Sequence, residues 1–254
     1  MQTHYGGEII MSLTISGEGG GGDLPNLEPG IYQGTCYSIV DLGTTDQEYK
    51  GVASKKTRVH LCFEITHALD PENNRITMED GRPFGVFKTY TASLFEAAAL
   101  RKDLESWRGK SFSEQELKGF DITNLIGCTA RIEVGHTAPT DFSPGGKPKI
   151  LALREPREGV KKVDTINDVV IFDLDVYLDD FRGKQSPESK AMCDIFFGLP
   201  TWQQGDIEKS YEYQAVNIGQ GSESGSMAQE VSNLTEQAAK EMNDDSFDED
   251  KIPF

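Results

Sequence analysis

Basic and aromatic side chains gather in three stretches of this 254-residue chain. The first is Lys55, Lys56, Arg58 and His60. The second holds Lys88 and Tyr90, beside Phe84 and Phe87. The third is Arg101, Lys102, Trp107, Arg108 and Lys110. Cationic groups neutralise phosphates and aromatic faces stack on unpaired bases, so this mixture has the chemistry of a groove for a single nucleic-acid strand. Each residue also has a plainer role. Phe87 is expected in the core. Trp107 is either a stacking platform or an apolar cap at a helix end, and Arg101 and Lys102 could be a solvated helix face. A fourth group is acidic: Asp173, Asp175, Asp179 and Asp180. On a strand, Asp173 and Asp175 would share one side, as two-metal hydrolysis requires. No patterned His or Glu accompanies them, so a solvated acidic strand is expected. His4, His60, His67 and His136 show no ligand spacing with Cys36, Cys62, Cys128 or Cys193. There is no P-loop, G-x-G-x-x-G or G-x-S-x-G. The sequence therefore points to no catalytic residue, no metal and no cofactor.

The C-terminus offers a different chemistry. Asp244, Asp245, Asp248, Glu249 and Asp250 precede Lys251, Ile252, Pro253 and Phe254. A segment so rich in acids, Ser, Gln and Gly buries too little apolar surface to offset its ordering entropy. Pro253 holds Ile252 extended, which lowers the entropy lost on docking. Ile252 and Phe254 then present two apolar anchors beside a carboxylate, a pattern suited to capture by a pocket. Asp248, Glu249, Asp250, Ile252, Pro253 and Phe254 are the candidate partner-binding residues. The plainer alternative is a solubilising tail.

An acidic stretch closed by Ile-Pro-Phe resembles the C-terminal tip of bacterial and phage single-stranded DNA-binding proteins (SSBs). Lys251 departs from that pattern, which usually has an acid there. The stretch YTASLFEAAALRKDLESWRGKSFSEQELKGFDITNLIG, residues 90–127, resembles a block in small phage replication-associated proteins of the single-strand-binding type, and LPTWQQGDIEKSYEY, residues 199–213, resembles a second. The resemblance implies an OB-fold protein in the cytoplasm of the bacterial host. It would coat single-stranded DNA during phage replication or recombination, and recruit replication or repair proteins through its tip. It would not be an enzyme. The resemblance fixes no individual DNA contact and no oligomeric state. Two other classes fit the same residues. One is an OB-like adaptor that mimics the SSB tip without binding DNA; the other is a metal-dependent nuclease using the acids of 173–180.

The elements that would position these residues follow from patterning. Residues 30–162 carry 18 acids and 19 Lys or Arg, whereas 163–254 carry 20 acids against 6. The net charge of −17 thus comes mostly from the end of the chain, and a near-neutral segment with basic clusters precedes it. Strands are expected at 31–42, 55–66, 84–91, 128–134 and 149–154. The second alternates most clearly: Val59, Leu61, Phe63 and Ile65 on one side, Arg58, His60, Cys62 and Glu64 on the other. Gly34 is a candidate bulge, and Gly43–Gly51 reads as a polar loop. Ser93 with Glu96, and Ser113 with Glu116, fit capping boxes, so helices are expected between the third and fourth strands. That order predicts a mainly β chain, an OB-fold barrel with a helical insertion; a generic antiparallel α+β domain is the alternative. VVIFDLDVYL reads as β, and Pro187 opens a short helix. The expected organisation is a flexible segment 1–29, an OB-fold domain 30–160, an accessory segment 161–213 packed on it, and a disordered acidic tail 214–254. Met11 offers a second start, and the N-terminus lacks the marks of a signal peptide. The scattered cysteines read as free thiols of a reducing compartment. No apolar run approaches the ~20 residues of a membrane span.

Overall fold

The computed structural model describes residues 27–49, 51–68, 75–141, 143–157 and 164–219. The acidic tail with Asp248, Glu249, Asp250, Ile252, Pro253 and Phe254 lies outside them, as does most of segment 1–29. The chain is mainly β. Its strands are β1 (Gly30–Tyr49), β2 (Val52–Ala68), β3 (Phe84–Thr91), β4 (Thr129–His136), β5 (Pro148–Arg154) and β6 (Val170–Phe172). The first five pair antiparallel in the order β3-β2-β1-β4-β5. β6 runs parallel to β1 over Ser38–Val40, beyond the stretch of β1 that pairs with β4. β3 and β5 approach within 8 Å between Cα atoms. No ladder joins them among the described residues, so the sheet is open. No described helix is long and apolar enough to cross a membrane.

Alternation along β2 sorts its residues as the sequence predicts. Val59, Leu61, Phe63 and Ile65 are buried in one core with Leu100, Leu104, Trp107 and Ile132. Helix α1 (Ala99–Arg108) supplies Leu100, Leu104 and Trp107, and β4 supplies Ile132. The opposite face of β2, expected to meet solvent, is buried as well. His60, Cys62, Glu64 and Thr66 are all covered. Helices α3 (Leu174–Phe181), α5 (Thr201–Ile207) and α6 (Tyr211–Gly219) pack against β1 on this side, and α4 (Pro187–Gly198) packs on α3 and β6. They enclose a second core of Val40, Leu42, Phe172, Tyr177, Phe196 and Ile207. Glu64 anchors the segment that leads into them. Its fully buried carboxylate accepts hydrogen bonds from the Ile166 and Asn167 N–H groups at 2.8–2.9 Å and from Asn167 Nδ2 at 2.8 Å, and it pairs with Arg75 at 2.5 Å.

Several expectations need correction. Gly43–Gly51 is not a loop; β1 and β2 run on as one long hairpin, pairing Thr44 with Thr57 and Tyr49 with Val52. Side-chain bonds across the ladder explain how so polar a stretch pairs, with Thr44 and Thr57 hydroxyls 2.9 Å apart. VVIFDLDVYL is not one strand. β6 ends at Phe172, and Asp173 accepts from the Val176 N–H to start α3. Ser93 and Glu96 do not cap α1, which starts at Ala99 without a side-chain cap. The region expected to become linker after Tyr213 continues as α6 to Gly219. Ser113 and Glu116 do form a capping box, opening α2 (Glu114–Leu117). The register of β1 shifts at Gly34, as expected of a bulge. A Cβ there would sit 2.9 Å from the Glu64 carbonyl oxygen and 2.7 Å from Ile132 Cδ1.

Candidate nucleic-acid interface

The face of β2 and β3 turned away from the first core carries the most exposed aromatic pair. Across the ladder, Arg58 faces Thr91, His60 faces Thr89 and Cys62 faces Phe87. Phe87 projects outward and is 44% exposed. Its ring stacks on Trp202 at 4.7 Å between centroids, with 27° between planes. Trp202 comes from the first turn of α5 and is 45% exposed. The imidazole of His60 lies beneath both, 5.3 Å from Phe87 and 5.2 Å from Trp202. Gln203 Nε2 donates to His60 Nδ1 at 3.3 Å, which leaves the ring proton on Nε2. Burial pushes the His60 pKa down to about 4, and nearby Arg58 adds to this, while Asp206 opposes it. The ring is therefore neutral at pH 7, and serves as an apolar floor under the two aromatics.

Arg58 lies two residues along the same face. Its Nε is buried without a hydrogen-bond partner, and it enters no ion pair among the described residues. A half-buried guanidinium with unspent donors is suited to a phosphate. Further along the hairpin, Lys55 Nζ lies 4.2 Å above the Tyr211 ring, and Lys56 is half-buried opposite Thr45. Together, Phe87, Trp202, Arg58 and Lys56 offer stacking and positive charge along one face, whereas Lys55, of opposite parity on β2, is engaged with Tyr211.

The remaining expected residues do not join them. Tyr90 is buried in the first core with Val86; the parity assigned to β3 from the sequence is reversed, and Phe87, expected inside, points out. The Tyr90 hydroxyl donates to Asp103 Oδ2 at 2.8 Å, and Lys88 Nζ donates to the same oxygen at 2.6 Å. Burial and the Asp103 charge raise the Tyr90 pKa, so its hydroxyl keeps the proton it donates. His60, expected to project into solvent, is 1% exposed. Trp107 is a cap rather than a platform: it is buried, its Nε1 donates to the Thr129 carbonyl at 2.7 Å, and Phe63 meets it edge-on. Arg101 is held by Glu105 at 3.0 Å and by the Leu94 carbonyl. Arg108 lies over the Phe112 ring at 4.4 Å and pairs with Glu116. Lys102 and Lys110 are exposed on α1 and its exit.

Trp202 was the residue sequence reasoning passed over. It lies in the 199–213 block, and Pro200 just before the helix start places it in the first turn, where side chains are often uncovered. The acids Asp173, Asp175, Asp179 and Asp180 do not form a metal site. Asp173 is a helix cap, and Asp175 and Asp179 lie near Arg182. No group of three or more His, Cys, Asp or Glu able to hold a metal occurs among the described residues. Cys36 and Cys62 are buried, and burial pushes the Cys62 thiol up to about 11. Cys128 is exposed and Cys193 half-buried, and none is in a disulfide. The chain matches no protein-family model, no curated protein and no solved structure.

Proposed function

We propose that this protein binds single-stranded DNA with little sequence preference, through an OB-type domain, and recruits replication or recombination proteins through its Ile-Pro-Phe end. It acts as a phage SSB in the host cytoplasm, not as an enzyme, and needs no cofactor. The observation that carries this is the Phe87–Trp202 pair: two stacked rings, each nearly half exposed, on the outer face of the second and third strands. OB-folds bind oligonucleotides on that face. The strand order β3-β2-β1-β4-β5, with a helix between the third and fourth strands, supports an OB topology opened between β3 and β5. Stacking needs no base identity, so two ring faces beside Arg58 give affinity without sequence readout.

Anisotropy of a fluorescein-labelled oligothymidine tests this. The protein should bind it more tightly than duplex, with affinity falling steeply with salt. Phe87→Ala with Trp202→Ala should weaken binding by about tenfold or more, since base stacking is worth ~1–3 kcal/mol per base. Lys56→Ala with Arg58→Ala should flatten the salt dependence, by about 1.4 in the log–log slope. Full affinity in the aromatic double variant refutes this interface. No single-strand binding even at low salt refutes the function and leaves the adaptor.

A further inference from the structure

The opposite, inner face of β1 and β2 bounds a cleft of about 330 Å³. It opens between α1, the turn Ile122–Leu125 and the end of β6. Its floor is apolar, formed by Ile39, Val59, Leu104 and Ile122, and Ala92 lies exposed at its mouth. The charged side chains lining it are both carboxylates, Asp41 and Asp173. A volume above about 300 Å³ is enough for a bulky side chain and its neighbours.

Asp41 is the more telling of the two. Its carboxylate accepts from the Gly43 N–H at 2.9 Å. Burial pushes its pKa up to about 6, against that hydrogen bond, and the charges of Glu212, Asp173 and Asp175 push it further. A cation brought into the cleft relieves both the desolvation and the repulsion. An anion adds to them, so nucleic acid is the wrong occupant. The two terminal stretches of this chain outside the described residues are acidic, and so are wrong as well. Residues 1–26 carry Glu8, Glu18 and Asp23 without Lys or Arg, and residues 220–254 carry nine acids against Lys240 and Lys251. We propose that the cleft docks a basic segment of a separate protein partner, with a bulky apolar side chain on the floor and a neighbouring Lys or Arg against Asp41 and Asp173. The site is distinct from the DNA interface: it lies on the inner face of β1 and β2, whereas Phe87 and Arg58 project from the outer face of β2 and β3.

The test uses the full chain and a fluorescein-labelled peptide of alternating Lys and Leu. A Lys/Ser peptide of equal charge measures attraction to the acidic tail alone, and a Glu/Leu peptide reverses the charge. The Lys/Leu peptide should bind at least tenfold more tightly than either, and more tightly at pH 7 than at pH 5, as Asp41 ionises. Ala92→Trp fills the mouth without touching charge or core, and should reduce binding to the Lys/Ser level. Asp41→Asn should do the same. Methyl resonances of Ile39 and Ile122 should shift on binding in the parent protein and not in Ala92→Trp. Unchanged affinity in Ala92→Trp, or equal binding of the Glu/Leu peptide, overturns the proposal. So do methyl shifts that respond instead to deleting 220–254 or to protein concentration, which would assign the cleft to the tail or to a second copy.

Discussion

His60 should make the fold acid-sensitive in a way that one substitution removes. Burial lowers its pKa from 6.5 to about 4, whereas in the unfolded chain it titrates normally. Between those values the unfolded state binds the proton and the folded state does not, so stability falls as pH falls. The contribution is fully present above pH 6.5 and is lost as pH drops toward 4. At ~1.4 kcal/mol per pH unit, the full effect is about 3 kcal/mol. Asp41 acts with the opposite sign. Its pKa is raised from 3.8 to about 6, so the folded state takes up the proton first, and stability rises as pH falls through that window. The two nearly cancel in the parent protein, and only a variant exposes either. His60→Gln keeps a polar side chain beside Gln203 and removes the titration. Urea unfolding of the two proteins between about pH 7 and pH 4 gives the difference directly, because Asp41 is common to both. The variant should gain about 3 kcal/mol relative to the parent as pH falls. In a Trp107→Phe background the remaining indole, Trp202, reports locally: its emission should change with pH in the parent and not in the variant. A stability difference that stays flat across this range would refute the buried, neutral imidazole beneath the aromatic pair.

Other outcomes follow from single residues. Glu64→Ala leaves the Ile166 and Asn167 donors and Arg75 without their shared acceptor; it should cost about 3 kcal/mol or more and speed amide exchange across 164–219 before it speeds exchange in β4. Gly34→Ala drives a methyl into the Glu64 carbonyl, and should lower stability by about 1–3 kcal/mol in thermal unfolding. Phe254→Ala, and separately a C-terminal tag, should abolish capture of proteins that read SSB tips while leaving DNA affinity unchanged, since truncating an anchor costs ~2 kcal/mol or more; capture by both would return the tail to a solubilising role. Deleting 244–254 should tighten DNA binding at low salt and lose that advantage as salt screens the acids.

The sequence and the structure agree where one residue class decides a position. Val59, Leu61, Phe63 and Ile65 could go only to a core, Gly34 alone accepts the close approach of β2, and Ser113 with Glu116 satisfies helix donors by local reach. They part where a polar residue finds its partner far along the chain. Alternation shows which side of β2 is polar, not which side is wet. Glu64 is satisfied by residues 102 and 103 positions away, and His60 by Gln203, 143 positions away. Neither partner is visible in a local window. The same blindness reversed β3, where Tyr90 and Lys88 look like surface residues until Asp103 is known to bind both. Trp202 meets Phe87 only because α5 packs on β1 and carries the indole over His60, and no spacing in the sequence announces that placement.

The length of β1 has a consequence for synthesis. Val40 belongs to a core that Phe172 and Phe196 complete, and these emerge from the ribosome some 130 to 160 residues later. At ~5–20 residues per second, that is a delay on the order of ten seconds. During it, the β1–β2 hairpin can pair and β4 can dock on one stretch of its edge, while the neighbouring stretch at Ser38–Val40 waits with open hydrogen bonds and uncovered apolar side chains. Such an edge invites strand addition from another nascent chain. The most vulnerable moment of this protein thus falls after its first core has closed and before β6 arrives, and overexpression should place misassembled chains at that step.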